Sequence, residues 1–361
     1  TRLDKMTSGY QAGELVIIGA RPSAGKAQPL HSKVLTPTGW TEMGKIKVGD
    51  LVIGADGAHK SVLGVFPQGI KNTFRFTMDD GSCTECCDEH LWLTRSRKEQ
   101  KAKQEATVKT ASDISCTLKD GLRNAHCIPY CKPVEFSSVE SDVSPWLVGM
   151  WLGDGSGDSN AQIHNPESDI IERIKNSVPE SDVAIIGFSS RVGDCPVIRI
   201  KRKNRNNKKS DFAQYLESVG LLGKNSFDKF IPESLLFGNV ETRANLLMGL
   251  LDADGYVNRR NVEISTASNL LRDGIVHLVQ SLGGRCTWVL KENHYVKDGI
   301  RHEAAISYRM HVSFTNGFVP VSSKKHLAKF NRKIPRKQWR FIQKCEHAGP
   351  QECQCISVEG G

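Results

Sequence analysis

The sequence lacks the long apolar runs and the leader pattern that point to a membrane or to export. Its 361 residues contain no stretch of about 18 consecutive apolar residues, so no transmembrane helix is predicted. The first residues show no basic end followed by a long apolar core and a small-residue cleavage site, so a secretory signal is not indicated. We expect a cytoplasmic protein with no membrane partner, in a chain cut from something larger.

Paired metal-binding cysteine motifs are also lacking. The eleven cysteines include close sets at 83–87, 127–131 and 353–355, but no C-x-x-C…C-x-x-C framework, which favours unrelated reduced thiols over a structural zinc site. Without an export signal, this count indicates a reducing compartment. Because the count is odd, at least one thiol stands outside any intramolecular pair.

The sequence also lacks an excess of acidic residues. The formal net charge is +9, and residues 144–335 contain 26 Lys+Arg against 20 Asp+Glu. The densest basic run is "RIKRKNRNNKK", at 199–209. A charge run alone is usually a solvated loop, but an excess concentrated in one domain-sized segment is typical of nucleic-acid binding.

A hydroxyl residue is missing from a phosphate-binding pattern near the N-terminus. "GARPSAGK" fits G-x-x-x-x-G-K, with Gly19, Gly25 and Lys26 at its defining positions. The next residue should be Ser or Thr, whose hydroxyl holds Mg²⁺, and should open a helix. It is Ala27, and Pro29 follows, so we expect no ATP binding by this form. A nucleotide-hydrolysing protein in its own right is the alternative, which tight Mg-ATP binding would support.

The pattern of apolar and turn-forming residues changes twice along the chain. From about 30 to 136, short strand-like runs alternate with turn signals such as "GADG" and "DDG", which predicts mostly β structure. From Pro145 onward the pattern is helical, and "WLVGMWLGDG" (146–155) and "LLMGLLDADG" (246–255) echo each other. Each is followed by apparent strands and an amphipathic helix, which indicates an internal duplication. After about 335 the chain is short and strand-like again, so we predict a β module interrupted by an α/β insert.

The repeated element resembles the nine-residue motif of the LAGLIDADG homing endonucleases. Residues 247–255 differ from that motif at two positions, and residues 147–155 look like its companion copy. Gly149 and Gly249 let two helices approach closely, and Asp-Gly ends each helix, so two carboxylates lie side by side. Such a pair can share divalent metal ions over two scissile phosphates.

This resemblance implies a specific active site. The fold would be an α/β domain of two αββαββα-like repeats over residues 141–335, acting on double-stranded DNA. Asp154 and Asp254 would be the metal-binding catalytic acids for Mg²⁺. Lys229, in "DKFIP", matches a basic active-site position found before the second copy in intein-borne members.

The flanking β segments resemble the two halves of an intein, a mostly-β, Hint-type splicing domain. Residues 27–140 and 336–361 would form it, and the similarity is carried by "VLTPTGWTEMGKIKVGDLVIGADG", "CCDEHLWLT" and "IPYCKPVEF". His90 would be the residue that protonates or strains the N-terminal scissile amide. An ordinary intein begins with Cys or Ser, however, and Ala27 carries no nucleophile.

That departure resembles the class 3 inteins, which use an internal Cys near the C-terminal end and a Trp close to the conserved His. Here "H-x-W-x-T" is His90, Trp92 and Thr94. The internal nucleophile would be Cys355, with Cys353 as its competitor. The resemblance implies that the Cys355 thiolate attacks the carbonyl at the Lys26–Ala27 junction, with no cofactor. The plainer alternatives are a buried strand cysteine and a core tryptophan.

The residues that would complete splicing are missing before Gly361. The His-Asn pair at 164–165 is followed by proline inside the endonuclease segment, so it is not the intein terminus. We therefore expect either a truncated chain or one whose last strands are on another piece; this form cannot complete splicing, although cleavage at Lys26–Ala27 is still possible in principle. The alternative hypothesis is a homing endonuclease on a degenerate, splicing-incompetent Hint scaffold.

Residues 1–26 resemble the start of the ATPase domain of DnaB-type replicative helicases, through "LDKMTSGYQAGELVIIGARPSAGK". The implied host is a ring-shaped helicase hexamer that uses ATP and Mg²⁺ after splicing. The implied DNA target is the uninterrupted helicase gene. The missing hydroxyl residue would then arrive as the first residue after the intein.

Overall fold

The computed structural model describes residues 27–121, 123–137, 143–156, 160–188, 195–204, 208–259, 261–297, 300–330 and 339–360. The phosphate-loop positions Gly19, Gly25 and Lys26 therefore lie outside the described residues. Within the described ranges, no helix is both long enough and apolar enough to cross a membrane.

The first part of the chain consists mainly of antiparallel strands joined by turns. The predicted turns at "GADG" and "DDG" connect paired strands, and Gly57 and Gly81 adopt positive φ of 81° and 84° there, which glycine tolerates best. In chain order the elements are β1 Gln28–Pro29, β2 Lys33–Thr36, β3 Gly39–Glu42, β4 Leu51–Ile53, β5 His59–Met78, β6 Cys83–Cys87, β7 Leu91–Ser96, α1 Arg97–Lys101, β8 Thr107–Thr110, α2 Ala111–Cys116, β9 Lys119–Asp120, β10 Arg123–Asn124 and β11 His126–Pro129.

The second part contains the order α-β-β-α-β-β-α twice, which confirms the predicted two-repeat α/β insert. Each repeat forms a four-stranded sheet, in the orders β12-β13-β15-β14 and β16-β17-β19-β18. The elements are α3 Pro145–Asp154, β12 Gly155–Ser156, β13 Gln162–His164, α4 Ser168–Ser177, β14 Asp182–Phe188, β15 Pro196–Arg202, α5 Asp211–Ser218, α6 Glu233–Leu236, α7 Val240–Asp254, β16 Tyr256–Asn258, β17 Asn261–Thr266, α8 Asn269–Ser281, β18 Arg285–Lys297, β19 Ile300–Ser313 and α9 Lys324–Lys329.

The chain then returns to the β module in one long strand, β20 (Trp339–Val358), rather than in the short strands that we predicted. It runs antiparallel to β5 over nearly the whole length of both. Four register shifts let the ladder continue through bends that would otherwise end it. Because β20 also pairs with β1 near its far end, residues 353–354 are brought beside residues 28–29.

The largest apolar core surrounds α3 and α7, which pack against each other in the middle of the insert. Trp146, Trp151, Leu246 and Leu250 are each at most 1% exposed. α3 is apolar on almost every face, and α7 becomes mostly apolar from Leu246 onward, which is typical of helices buried on most sides.

Polar contacts fasten the insert to the β module. The buried Arg243 of α7 donates a hydrogen bond to the carbonyl oxygen of Val134, which follows β11. At the β5–β6 turn, Asp79 accepts a hydrogen bond from Arg285 at 2.7 Å. Beside it, Asp80 accepts one from Gln280 at 3.1 Å. The two modules therefore share a defined interface.

Two candidate catalytic centres

The end of the helix pair forms the first centre. A Cβ added at Gly149 would lie 2.1 Å from the carbonyl oxygen of Leu246, and one at Gly249 would lie 2.0 Å from that of Trp146. Only glycine therefore permits this approach. At the last turn, a Cβ at Gly153 would lie 3.4 Å from Oδ2 of Asp254, so the second carboxylate lies directly against the first helix.

Asp154 is the last residue of α3, and the extended Gly155 turns the chain from that helix into β12. The Asn165 side chain donates a hydrogen bond from Nδ2 to Oδ2 of Asp154 at 2.7 Å. Burial raises the pKa of Asp154 to about 6; the Asn165 hydrogen bond opposes this rise, and the negative charge of Asp254 adds to it. Partial burial of the carboxyl group also raises the pKa of Asp254, and the charge of Lys229 opposes this rise. Part of the Asp254 residue is still exposed to solvent.

Lys229 lies between the two carboxylates and the end of α3. It is only 5% exposed, and its Nζ donates to the carbonyl oxygens of Trp151, Leu152 and Gly155 at 3.1, 2.9 and 2.8 Å. A cation is favourable there because unpaired carbonyl groups make a helix C-terminus negative. Burial lowers the pKa of Lys229 to about 8, and the two carboxylates oppose that fall.

The donor set fits a divalent cation. Burial raises the pKa of both carboxylates, and the charge of Asp254 adds to the rise at Asp154, so the pair would gain from a positive charge placed between them. Carboxylate oxygens are the ligands that Mg²⁺ prefers. Within the described ranges no three His, Cys, Asp or Glu side chains gather as a metal site. The remaining ligands would then be carbonyl, water or phosphate oxygens, which suits a metal that meets a phosphodiester.

Asp252 has a different role, although it lies in the same motif. It is buried and accepts hydrogen bonds from Nε1 of Trp146 at 3.0 Å and from the backbone N–H groups of Ser322 and Ser323 at 2.8 and 2.9 Å. These donors help to hold its pKa below the usual range despite burial. Asp252 therefore fastens α7 to the segment that leads into α9.

The second centre is a small apolar cluster at the predicted splice junction. Ala27, Cys87, Cys353 and Cys355 are each at most 2% exposed and pack together with Phe66. Since β1 pairs Pro29 with Cys353 and residue 28 with residue 354, one further step in the same register sets Ala27 opposite Cys355. Cys355 is therefore nearer to the junction along the ladder than Cys353 is.

Cys87, the last residue of β6, contacts Ala27 at the junction, and His90 is hydrogen-bonded in turn to Cys87. The backbone N–H of Cys87 donates to the carbonyl oxygen of Ala27 at 3.0 Å, and that of His90 donates to the carbonyl oxygen of Cys87 at 3.0 Å. Burial raises the pKa of the Cys87 thiol, and it raises that of Cys353 to about 11. Both of these thiols are accordingly protonated at neutral pH.

Trp92 and Thr94 lie farther along β7. The ring of Trp92 lies with its centroid 5.9 Å from that of His90 and 5.0 Å from that of Phe76. Thr94 is fully buried and donates from Oγ1 to the carbonyl oxygen of Cys127 at 3.0 Å, across the β7–β11 pair. Trp92 thus joins His90 to the apolar core, while the Thr94 hydroxyl holds two strands together.

Three residues at these centres were not singled out from the sequence. Asn165 belongs to the His-Asn pair that was set aside as a false intein terminus, and Asp252 lies inside the motif. Cys87 had been grouped with other close cysteines. Alignment of the two repeats could have drawn attention to Asn165, because it and Thr266 are polar residues that both lie three positions before the amphipathic helix of their repeat.

Comparison with known proteins agrees with this division. The homing endonuclease family model matches residues 230–333. Among solved structures, the gp41-1 intein is 29% identical, covers 30% of this chain and 70% of its own, and has a TM-score of 0.22. The homing endonuclease I-DmoI, in complex with DNA and Ca, is 12% identical and covers 52% of this chain and 96% of its own, with a TM-score of 0.33.

The similarity to a curated relative runs through almost the whole chain. The replicative DNA helicase DnaB of Mycobacterium intracellulare is 28% identical over 368 residues, which cover 96% of this chain. The chain spans 58% of the length of that relative. The family match and this similarity agree with the class predicted from the sequence, an intein with a nested homing endonuclease in a DnaB-type helicase.

Proposed function

We propose that Cys355 of this chain attacks the Lys26–Ala27 junction, the first step of splicing, and that the insert cuts double-stranded DNA with the help of Asp154, Asp254 and a divalent cation. The placement of Ala27 opposite Cys355 supports the first activity. The two carboxylates at the end of the α3–α7 pair support the second. The two centres lie in different modules, so each activity is open to a separate test.

The splicing step follows from the junction. The Cys355 thiolate attacks the carbonyl carbon of Lys26, the bond from that carbon to the nitrogen of Ala27 breaks, and the amine of Ala27 takes up a proton. The N-terminal flank is then held on Cys355 as a thioester. His90, joined to Cys87 by a backbone hydrogen bond, would supply that proton or strain the scissile amide.

Cysteine substitutions test this step. Cys355→Ala should abolish thiol-induced release of residues 1–26, whereas Cys353→Ala in the same strand should retain it. The pair is well matched because both side chains are at most 1% exposed in the same cluster. Unchanged release by Cys355→Ala would refute Cys355 as the nucleophile, whereas no release even by the parent chain would favour the degenerate scaffold.

DNA cleavage follows from the helix-pair end. A Mg²⁺ ion bound there would stabilise the negative charge that develops on the phosphate. Asp154 and Asp254 would hold the ion, while Lys229 would keep the end of α3, and with it Asp154, in place through three carbonyl contacts. The basic excess of the insert supports DNA as the substrate, since phosphates dominate such binding.

Charge-removing substitutions test the cleavage. Asp154→Asn and Asp254→Asn should each abolish Mg²⁺-dependent cutting of DNA that carries the uninterrupted helicase gene. Asp273→Asn removes the same charge from an exposed position of α8 and should cut normally. Equal activity of all three variants would exclude this centre as the active site.

The host belongs to the same proposal. After excision, the phosphate loop with Gly19, Gly25 and Lys26 would continue into a hydroxyl residue, bind ATP with Mg²⁺ and serve a cytoplasmic helicase hexamer. The match of the chain to a DnaB helicase over 96% of its length supports that assignment. Tight Mg-ATP binding by the unspliced chain would contradict it, because the loop is incomplete at Ala27.

A further inference from the structure

Asn165 lies beside one of the two carboxylates, and among the described residues the matching position near the other carboxylate is occupied by Thr266. We propose that Asn165 is a positioning residue for Asp154, so that the two repeats hold their carboxylates unequally and the loss of Asn165 slows the cutting of one DNA strand more than the other. This inference rests on the proposed endonuclease function and assigns a role to the His-Asn pair that splicing leaves unused.

The hydrogen bonds of Asn165 fix the orientation of its amide. Its Oδ1 accepts the backbone N–H of Glu167 at 3.0 Å, so Nδ2 is the atom that faces Asp154, at 2.7 Å from Oδ2. The side chain is 4% exposed. A buried amide held at both ends is a rigid donor, because turning it would break both bonds at once.

The backbone around Asn165 is fixed to the chain that leaves Asp154. β13 ends at His164, immediately before Asn165, and β13 pairs with β12, which begins immediately after Asp154. The Ser156 hydroxyl and Nε2 of His164 lie 2.9 Å apart across this pair. The carboxylate and its donor are therefore carried by two paired strands, and their separation is set by the sheet.

The second repeat places a shorter side chain at the matching position. The amphipathic helices begin at Ser168 and Asn269, a spacing of 101 residues, and the same spacing carries Asn165 to Thr266. Oγ1 of Thr266 accepts the backbone N–H of Ser268 at 3.2 Å. Thr266 and Asp254 both line a cavity of about 110 Å³, so the second carboxylate faces open space where the first faces an amide.

The chemical consequence is unequal preorganisation. A residue that orients a metal-binding carboxylate typically contributes a factor of about 10 to 100 in metal affinity or activity. Asn165 gives Asp154 such a donor, whereas Asp254 depends on the more distant charge of Lys229. Removal of the amide should therefore affect the half of the site that is built on Asp154.

The test compares Asn165→Leu with Thr266→Val, two buried substitutions of similar size at matching positions. Binding of Ca²⁺ to each full-length variant is measured by calorimetry. Cutting is followed on a duplex of the uninterrupted helicase gene whose two strands carry different fluorescent labels. The ratio of the two strand rates is internal to each sample, so a loss of folded protein lowers both rates equally and leaves the ratio unchanged.

For Asn165→Leu we expect Ca²⁺ affinity to fall about tenfold or more and the strand-rate ratio to change about tenfold. For Thr266→Val we expect the Ca²⁺ affinity to remain within about twofold of the parent. If Asn165→Leu matched Thr266→Val in both measurements, the inference would be overturned.

Failure of the endonuclease proposal itself would look different. A parent chain that neither binds Ca²⁺ nor cuts DNA would refute that proposal. A metal-free crystal structure of Asn165→Leu would then decide the positioning role alone. A displaced Asp154 carboxylate supports the role, and a carboxylate in the parental position overturns it.

Discussion

Gly249→Ala, at the contact between α3 and α7, has two opposing effects on the free energy of unfolding. The sign of the measured change shows which effect is larger. Gly249→Ala should stabilise α7 by about 1 kcal/mol if helix propensity decides the outcome. The added Cβ would, however, lie 2.0 Å from the carbonyl oxygen of Trp146 and 2.9 Å from the backbone nitrogen of Met150. Ordinary contact begins at 3.4 Å, so the helices would have to separate by about 1.4 Å.

We therefore expect Gly249→Ala to destabilise the insert by about 2 kcal/mol or more, since overpacking in a tight core commonly costs about 1 to 3 kcal/mol and lost contacts between the two helices add to this. Urea denaturation measures the change in unfolding free energy. Gly274→Ala in α8 is the comparison, because its Cβ would meet side-chain atoms of Ile231 at 2.9 to 3.2 Å rather than backbone atoms at 2.0 Å, so we expect a smaller loss. A Gly249→Ala protein more stable than the parent would refute the close packing of the two helices.

Two further predictions concern charges. Lys229→Met leaves the carbonyl groups at the end of α3 without their cation, so we expect a loss of about 2 to 4 kcal/mol in unfolding free energy and loss of DNA cutting. The control, Lys224→Met, removes an exposed lysine of the same loop and should change neither quantity. Equal behaviour of the two variants would contradict this role of Lys229. Burial lowers the pKa of His277 from 6.5 to about 4, so the folded protein loses stability as pH falls from about 6.5 to 4, by at most about 3 kcal/mol. His277→Gln should flatten this dependence in urea titrations at pH 7 and pH 4.5, and an unchanged dependence would exclude His277 as its source.

The duplicated motif carried most of what the sequence predicted about the insert. Glycines at positions 149 and 249, each inside an apolar run that ends in Asp-Gly, were enough to predict two close helices with paired carboxylates. The family match at residues 230–333 is consistent with that assignment. The order of helices and strands followed because each repeat contains the same periodic segments in the same order.

The remaining features depend on contacts between distant parts of the chain. The partners of Lys229 are backbone carbonyl groups of residues more than 70 positions away in the sequence. Every residue has such a carbonyl group, so a sequence pattern cannot identify these partners. The pairing of β5 with β20 joins segments almost 300 residues apart, through bulges that no local pattern indicates. The sequence predicted Cys355 with Cys353 as its competitor, and the register of β1 against β20 adds that Cys355 lies nearer to Ala27 along the ladder.

The most direct test of the account is mass spectrometry of the chain after incubation with a small thiol. If Cys355 attacks at the junction, the parent and Cys353→Ala proteins release a fragment that consists of residues 1–26, and Cys355→Ala releases none. Release of this fragment by Cys355→Ala, or its loss in Cys353→Ala alone, would contradict the assignment of Cys355 as the nucleophile.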